Sequence, residues 1–93
     1  MTWTVIWMPP AEQQLAAAWL ASPNRNAVTK AAEEIDVVLE TYPASVGEPL
    51  FDTVYEYELP PLTVEYEVDG ANHAVYVLRV WNTAEGRPNV TGN

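Results

Sequence analysis

The sequence contains no cysteine and a single histidine, His73. The absence of cysteine excludes disulfide bonds, thiolate metal sites and a cysteine nucleophile, and one histidine excludes a multi-histidine metal centre. No segment has the Asp, Asn and Gly spacing of a calcium loop, and no phosphate-binding glycine loop or nucleophile elbow is present. The sequence therefore predicts no metal site and no cofactor.

Basic residues are also scarce: four Lys and Arg stand against 13 Asp and Glu, a formal net charge of −9. Proteins that bind nucleic acid neutralise phosphates with Lys and Arg. The charge balance therefore argues against direct nucleic-acid binding and favours a basic protein partner. No apolar run approaches the ~20 residues that cross a bilayer, and no signal peptide is evident. We expect a cytoplasmic protein without a membrane segment.

Apolar residues, by contrast, are plentiful: they make up 48% of the chain, and 11% of the chain is aromatic. Disordered chains lack the apolar residues needed to offset the entropy of ordering, so this composition indicates a folded protein. The length of 93 residues suits one domain. We predict a single domain at residues 1–82, followed by a flexible polar tail at residues 83–93.

A strand and two helices are predicted in the first half of the chain. Residues 2–8 are rich in Trp, Thr, Val and Ile, which favour strands, and two prolines then begin a helix that continues to Ala21. A second helix, capped by Ser22 or Asn24, has the clearest periodicity. Its apolar residues are spaced by three and four: Val28, Ala31, Ala32, Ile35, Val38, Leu39 and Tyr42. We expect Tyr42, the last of this stripe, to lie in the core.

Three further strands are predicted at residues 51–59, 62–69 and 74–81. Apolar and acidic residues alternate in the first two, which is typical of strands with one buried and one open face. Asp69-Gly70 is a strong hairpin signal, and His73 is expected to be exposed in that turn. The order β-α-α-β-β-β predicts an α+β fold, with a two-helix hairpin on one face of a four-stranded, mainly antiparallel sheet.

The alternation assigns each strand residue to one face of the sheet. The predicted helix-facing set is Tyr55, Tyr57, Leu59, Val64, Tyr66, Val68, Tyr76, Leu78 and Val80. The opposite set, which we call the open face, is Glu56, Glu58, Glu65, Glu67, Val77, Arg79 and Trp81. Two interpretations of the open face stay open: a solvated surface that keeps the protein soluble, and a groove for a basic, partly apolar peptide anchored by Val77 and Trp81. Arg79 is the one catalytic candidate, although it also suits neutralisation of neighbouring glutamates.

Several segments together carry a family resemblance over about residues 2–82. They are the first strand running into Pro10-Ala11-Glu12 and Leu15, the helix hairpin closed by Ile35, Leu39 and Pro43, then Gly47, and the strand sequences Leu62–Val68 and Val75–Trp81. In this order the chain resembles the RelE/ParE toxin superfamily of bacterial toxin–antitoxin modules. The resemblance implies the fold predicted above and a small antitoxin whose chain wraps the toxin.

The ribonuclease members of that family cut mRNA on the ribosome. The resemblance implies basic residues at alternate positions of the second strand, an Arg opening the third strand, and an Arg and a Tyr after the last strand. In this chain those positions hold Glu56 and Glu58, Thr63, and about Thr83, with no Tyr after it. Stabilising a developing phosphoryl charge needs cations or directed donors, which these side chains do not supply as a set.

We therefore expect a toxin-like protein that lacks ribonuclease activity and acts by binding a protein, as the ParE-like branch acts on DNA gyrase. Because this chain is strongly acidic, its antitoxin-like partner is expected to be basic. Two alternatives stay open. One is a divergent ribosome-dependent mRNA endoribonuclease that uses Arg79, helped by Arg87, and the other is a degenerate family member with only an interaction role.

Overall fold

Two long helices and a five-stranded sheet form the fold of residues 2–87, the part of the chain that the computed structural model describes. The elements are β1 (Thr4–Trp7), α1 (Pro9–Ala21), α2 (Arg25–Thr41), a one-turn α3 (Pro43–Val46), β2 (Glu48–Phe51), β3 (Val54–Leu59), β4 (Leu62–Asp69), β5 (Ala74–Asn82) and a 3-10 helix (Thr83–Glu85). The α+β class and the helix hairpin are confirmed. Within residues 2–87, no helix is long and apolar enough to span a membrane.

The sheet has one strand more than the sequence predicted. Its order is β1-β5-β4-β3-β2, with β1 parallel to β5 and every other pair antiparallel. The predicted strand at residues 51–59 is interrupted by a turn at Asp52, whose φ of 46° is left-handed, and β2 precedes that turn. The turn contains no Gly or Pro from which it could be predicted, but aspartate tolerates the left-handed conformation better than most residues.

Local capping defines both long helices. Two prolines occupy the first turn of α1, where a missing N–H costs nothing. The side chain of Asn24 caps α2 by accepting the N–H of Ala27 at 3.1 Å, whereas the Ser22 hydroxyl accepts the N–H of Asn24. Tyr42 ends α2 with a non-helical φ of −135° and is 60% exposed. Its predicted place in the core was wrong, because the helix ends at Thr41 and the apolar stripe ends with it.

The core lies between the helix hairpin and one face of the sheet. Its buried members are Ala11, Ala18, Val28, Ala31, Ile35, Leu39, Leu62, Val64, Tyr66, Val75, Val77 and Val80. Each large apolar side chain among them contributes on the order of 1.5–3 kcal/mol through burial. The α2 stripe supplies four of these residues at the spacing that the sequence predicted.

A β-bulge in β5 changes which of its side chains face the helices. Glu65 pairs with Arg79 but the next residue, Tyr66, pairs with Val77, so Leu78 has no partner on β4. Val77 is therefore fully buried in the core, and its predicted position on the open face was wrong. The predicted orientation of Tyr76 was wrong too, since it pairs with Glu67 of the open face. Because β5 has apolar residues at both odd and even positions, either set could face the helices, and alternation could not reveal the bulge.

Helix α1 is attached to the sheet beside this bulge. The backbone N–H of Val80 donates to Oε1 of Gln14 at 3.0 Å, in a partly buried position. A buried N–H left without a partner costs about 1–3 kcal/mol, so the side-chain amide fixes the helix at this point of β5.

His73 is half-buried, although the sequence predicted an exposed turn residue. It lies in the β4–β5 turn with a φ of 52°, and its ring stacks on Trp3 with 4.0 Å between centroids. The parallel pairing of β1 with β5 brings the two together, since the N–H of Thr4 donates to the carbonyl of His73 at 3.1 Å. Pairing between strands so far apart in sequence was not visible in the local pattern.

The segment after β5 folds back on the sheet. Residues 83–85 form the 3-10 helix, and the N–H of Thr83 donates to the carbonyl of Pro61 at 2.8 Å. The sequence predicted a flexible tail from residue 83, and its flexibility stays a prediction. The remainder of the predicted tail, residues 88–93, lies outside the described residues.

Gly47 leaves room for a buried hydroxyl. The hydroxyl of Tyr66, a fully buried core residue, donates to the carbonyl of Pro43 at 2.6 Å. A Cβ on Gly47 would clash with that hydroxyl and lie 3.0 Å from the carbonyl oxygen of Glu56. Burial also raises the pKa of Tyr66 well above its ordinary value, so the hydroxyl stays protonated and keeps donating.

We expect Gly47→Ala to lower the free energy of unfolding by about 2 kcal/mol, because Tyr66 must leave its hydrogen bond or the backbone must shift. Urea denaturation measures the change. Gly70→Ala is the matched control, since a Cβ there meets nothing within 4 Å. Equal stabilities for the two variants would contradict this account of Gly47.

Candidate functional site

The open face of the sheet carries a row of charged side chains across three neighbouring strands. Glu56 on β3 pairs in register with Glu65 on β4, and Glu65 pairs with Arg79 on β5. Side chains directly opposite each other on one face lie close enough to interact, so two carboxylates and one guanidinium meet here. The sequence predicted this face for all three residues.

Arg87 completes the cluster from the segment that follows β5. Its two terminal nitrogens lie 2.9 Å from Oε2 of Glu65 and 2.5 Å from Oε1 of Glu56. Its guanidinium also lies over the ring of Trp81, 4.8 Å from the centroid. Arg87 thus binds two carboxylates and an aromatic face at once, an arrangement that suits the planar guanidinium and not an ammonium group.

Glu65 lies at the centre of the cluster. Its side chain is only 8% exposed and is contacted on one side by Arg87 and on the other by Nε of Arg79, at 3.5 Å from Oε1. Burial of a lone carboxylate is costly, and two guanidinium partners offset that cost. The hydrogen bond to Glu65 raises the pKa of Arg87 above its ordinary value, so the guanidinium stays charged.

The positions at which the family resemblance implies catalytic bases lie close together on this face. The hydroxyls of Thr63 and Thr83 are 2.7 Å apart, and Thr63 pairs in register with the exposed Glu58. The fold therefore assembles these positions, but it fills them with hydroxyls and carboxylates. The two arginines of the face occupy other positions and already contact glutamates.

The other residues predicted for the open face differ in how far they take part in it. Glu67 accepts a hydrogen bond from the hydroxyl of Thr53 at 3.3 Å, and Trp81 is 7% exposed beneath Arg87. Val77 is absent from the face because of the β5 bulge. Arg87, which the sequence marked only as a helper of Arg79, contacts Glu56, Glu65 and Trp81, and its placement depends on the turn at Gly86, whose φ of 78° favours glycine. Within residues 2–87, no group of three or more His, Asp or Glu side chains is arranged to hold a metal ion.

Neither a protein-family model nor a curated protein matches the sequence, but solved structures match its fold. The chain is similar to the toxin–antitoxin complex RelBE2 from Mycobacterium tuberculosis, with a TM-score of 0.73 and 20% identity over 88% of this chain and 99% of that one. A mutant of the Escherichia coli toxin RelE in the free state matches with a TM-score of 0.68 and 12% identity, over 92% of this chain and 88% of that chain. A chain of the chromosomal ParDE system of P. aeruginosa matches with a TM-score of 0.65 and 18% identity, over 86% of this chain and 95% of that chain.

The chain has the RelE/ParE fold. The resemblance noted in the sequence is confirmed at the level of architecture, over nearly the whole length of both chains. At these identities the similarity concerns the fold alone.

We expect Arg87→Ala to lower the free energy of unfolding by about 1 kcal/mol, because Glu65 keeps only its longer contact to Arg79 while Arg87 itself is partly exposed. Lys30→Ala is the control, since it removes the same charge from an exposed helix position and Lys30 forms no ion pair within residues 2–87. The difference between the variants should shrink in roughly 1 M salt, where charges are screened within about 3 Å. A difference that is absent, or unchanged by salt, would contradict the proposed role of Arg87.

Proposed function

We propose that this protein is the toxin-like component of a toxin–antitoxin pair and that it acts by binding a protein, without cutting RNA. The fold that it shares with structures described as RelE, RelBE2 and ParDE supports the first part. The second part rests on one observation. Both arginines of the open face, Arg79 and Arg87, are already engaged by glutamates.

A phosphate on this face would meet more negative than positive charge. Arg79 and Arg87 stand against Glu56, Glu58, Glu65 and Glu67, so the formal charge of this set is −2. Two like unit charges 4 Å apart repel by about 4 kcal/mol at the effective dielectric of a protein surface. To stabilise a phosphoryl transition state, each arginine would have to leave Glu65, which would then be a buried carboxylate without a partner.

The same charges suit a basic antitoxin-like partner. Glu58 is exposed and Glu67 is half-buried beside the Arg87 cluster. Arg87 itself demonstrates that a guanidinium is held well between Glu56 and Glu65 over Trp81. We therefore propose that Lys or Arg side chains of a partner bind this face at its outer carboxylates, with affinity that falls as salt rises.

One observation favours the ribonuclease alternative. Arg79 and Arg87 converge on a single carboxylate, so the face holds two guanidiniums within reach of one point. Arginine pairs of this kind stabilise phosphates elsewhere. The opposing carboxylates make this the second candidate.

Induced expression in a bacterial host tests the proposal. We expect growth to stop while ribosome-bound mRNA stays intact, as judged by mapping mRNA ends after induction. Lys30→Ala, which leaves the open face untouched, is expected to behave as the wild type. Cleavage that appears in the wild type and disappears in Arg79→Ala would establish the ribonuclease alternative instead. Unaffected growth together with intact mRNA would rule out a toxin and leave the interaction role alone.

A further inference from the structure

A pocket lies at the end of the sheet where the β3–β4 turn meets the end of β5. Its volume is about 720 Å³. Three prolines line it, Pro23 of the α1–α2 turn and Pro60 and Pro61 of the β3–β4 turn. The 3-10 helix after β5 forms another wall with Thr83 and Glu85. The charged cluster of the open face uses none of these residues, so the pocket needs its own explanation.

The lining of the pocket is mainly apolar. Pro23 and Pro60 are exposed, and Pro61 and Ala27 are half-buried, so apolar groups from three segments remain accessible in one concavity. Single exposed apolar residues are ordinary on protein surfaces, whereas an apolar concavity of about 300–1,000 Å³ with a few polar groups is the usual form of a binding site. The pocket has the size and the polarity of such a site.

Hydrogen bonds hold the walls of the pocket in place. The N–H of Thr83 donates to the carbonyl of Pro61 at 2.8 Å, and the hydroxyls of Thr83 and Thr63 lie 2.7 Å apart. In the α1–α2 turn, the side chain of Asn24 accepts the N–H of Ala27 at 3.1 Å. The prolines add rigidity because the ring fixes the backbone φ. The pocket is accordingly formed before any partner arrives, which lowers the entropy cost of binding.

The charge at the rim of the pocket is negative. Among the described residues that line the pocket only Glu85 is charged, and it is exposed and forms no ion pair within residues 2–87. The exposed Glu58 lies near by on the open face, since it pairs in register with Thr63, whose hydroxyl contacts the 3-10 helix. Arg25 of α2 is close to the lining in sequence, but its guanidinium lies over the ring of Trp19, 4.7 Å from the centroid. The rim therefore attracts a positively charged group.

We propose that this pocket binds an aromatic side chain of a basic partner protein, with the ring against the prolines and a neighbouring Lys or Arg of the partner beside Glu85. Proline and aromatic rings pack against each other in the grooves that bind proline-rich peptides, and here the prolines belong to the pocket. An aromatic side chain buries about 150–250 Å² and loses freedom at only two torsions. It therefore gains more from a preformed apolar pocket than a flexible side chain of similar size.

Charge decides between this occupant and a second copy of the chain. Phe51 and Tyr42 are the most exposed aromatic side chains of residues 2–87, at 61% and 60%. Asp52 follows Phe51, and Glu40 lies two residues before Tyr42, so a second copy would bring a carboxylate toward Glu85. A basic partner brings the opposite charge. The inference rests on the proposed function only in that both require a basic partner.

Titration of the isotope-labelled wild-type protein with the tripeptide Lys-Trp-Lys, acetylated and amidated at its ends, tests the proposal by NMR. We expect the tripeptide to shift the backbone amide signals of Ala27, Thr83 and Ala84, which line the pocket. Lys-Ala-Lys lacks the ring and Glu-Trp-Glu reverses the charge. Each of these two should bind about tenfold more weakly or worse.

Three variants locate the binding site. Ala84→Trp should lower the affinity for Lys-Trp-Lys about tenfold or more, because Ala84 is exposed and the new ring fills the pocket. Ala71→Trp is the matched control, since Ala71 is exposed in the β4–β5 turn at the opposite end of the sheet. Glu85→Gln should weaken binding and make it less sensitive to salt, whereas Glu48→Gln on β2 should change neither.

Several results would overturn the proposal: no binding of Lys-Trp-Lys at millimolar concentration, equal affinity for Lys-Ala-Lys or Glu-Trp-Glu, or binding that Ala84→Trp or Glu85→Gln leaves intact. Signal shifts confined to residues away from the pocket would overturn it too. Dimerisation of the wild type that Ala84→Trp abolishes would do so in favour of a second copy. Growth arrest without tripeptide binding would contradict the pocket alone, and tripeptide binding without growth arrest would contradict the toxin function alone.

Discussion

The register between β4 and β5 is the constraint on which the rest of the structure depends. A single extra residue, Leu78, shifts the pairing so that Val77 faces the helices while Arg79 faces Glu65. Two residues after Leu78, the N–H of Val80 donates a hydrogen bond to Gln14 of α1. Core packing and the charged cluster of the open face therefore share one cause, and α1 is attached to β5 close to the same bulge. A strand with regular alternation would place either Val77 in the core or Arg79 beside Glu65, but not both.

The second consequence of that register is electrostatic. Glu65 is buried on the open face, and a buried carboxylate persists only where cations and hydrogen bonds stabilise its charge. The pairing of β4 with β5 places Arg79 beside Glu65, and the turn that follows β5 places Arg87 there. The arginines thus have a structural task that competes with any catalytic one. A ribonuclease site would need the same groups to be free when the phosphate arrives.

The sequence was sufficient for the architecture and for most of the open face. Periodicity located α2 by the spacing of Val28 to Leu39, and alternation located β4 to the residue. It failed where apolar residues are continuous, as in β5, and where a turn forms at Asp52 without glycine or proline. It also failed for contacts between distant segments, such as Trp3 with His73. Local patterns determine which face of a strand is buried, but bulges and long-range pairing are decided by packing of the whole chain.

The net charge of −9 acquires a different meaning once it is divided between surfaces. On the open face, Glu56 and Glu65 are matched by Arg79 and Arg87, so the acids most central to that surface are internally compensated. On the helix side, Glu12 and Glu33 border an apolar groove and form no ion pair within residues 2–87. Coulombic attraction for a basic partner is strongest where carboxylates lack a partner and the dielectric is lowered by apolar walls. Within residues 2–87, the few bases therefore compensate the acids at the centre of the open face and leave Glu12 and Glu33 without an ion-pair partner.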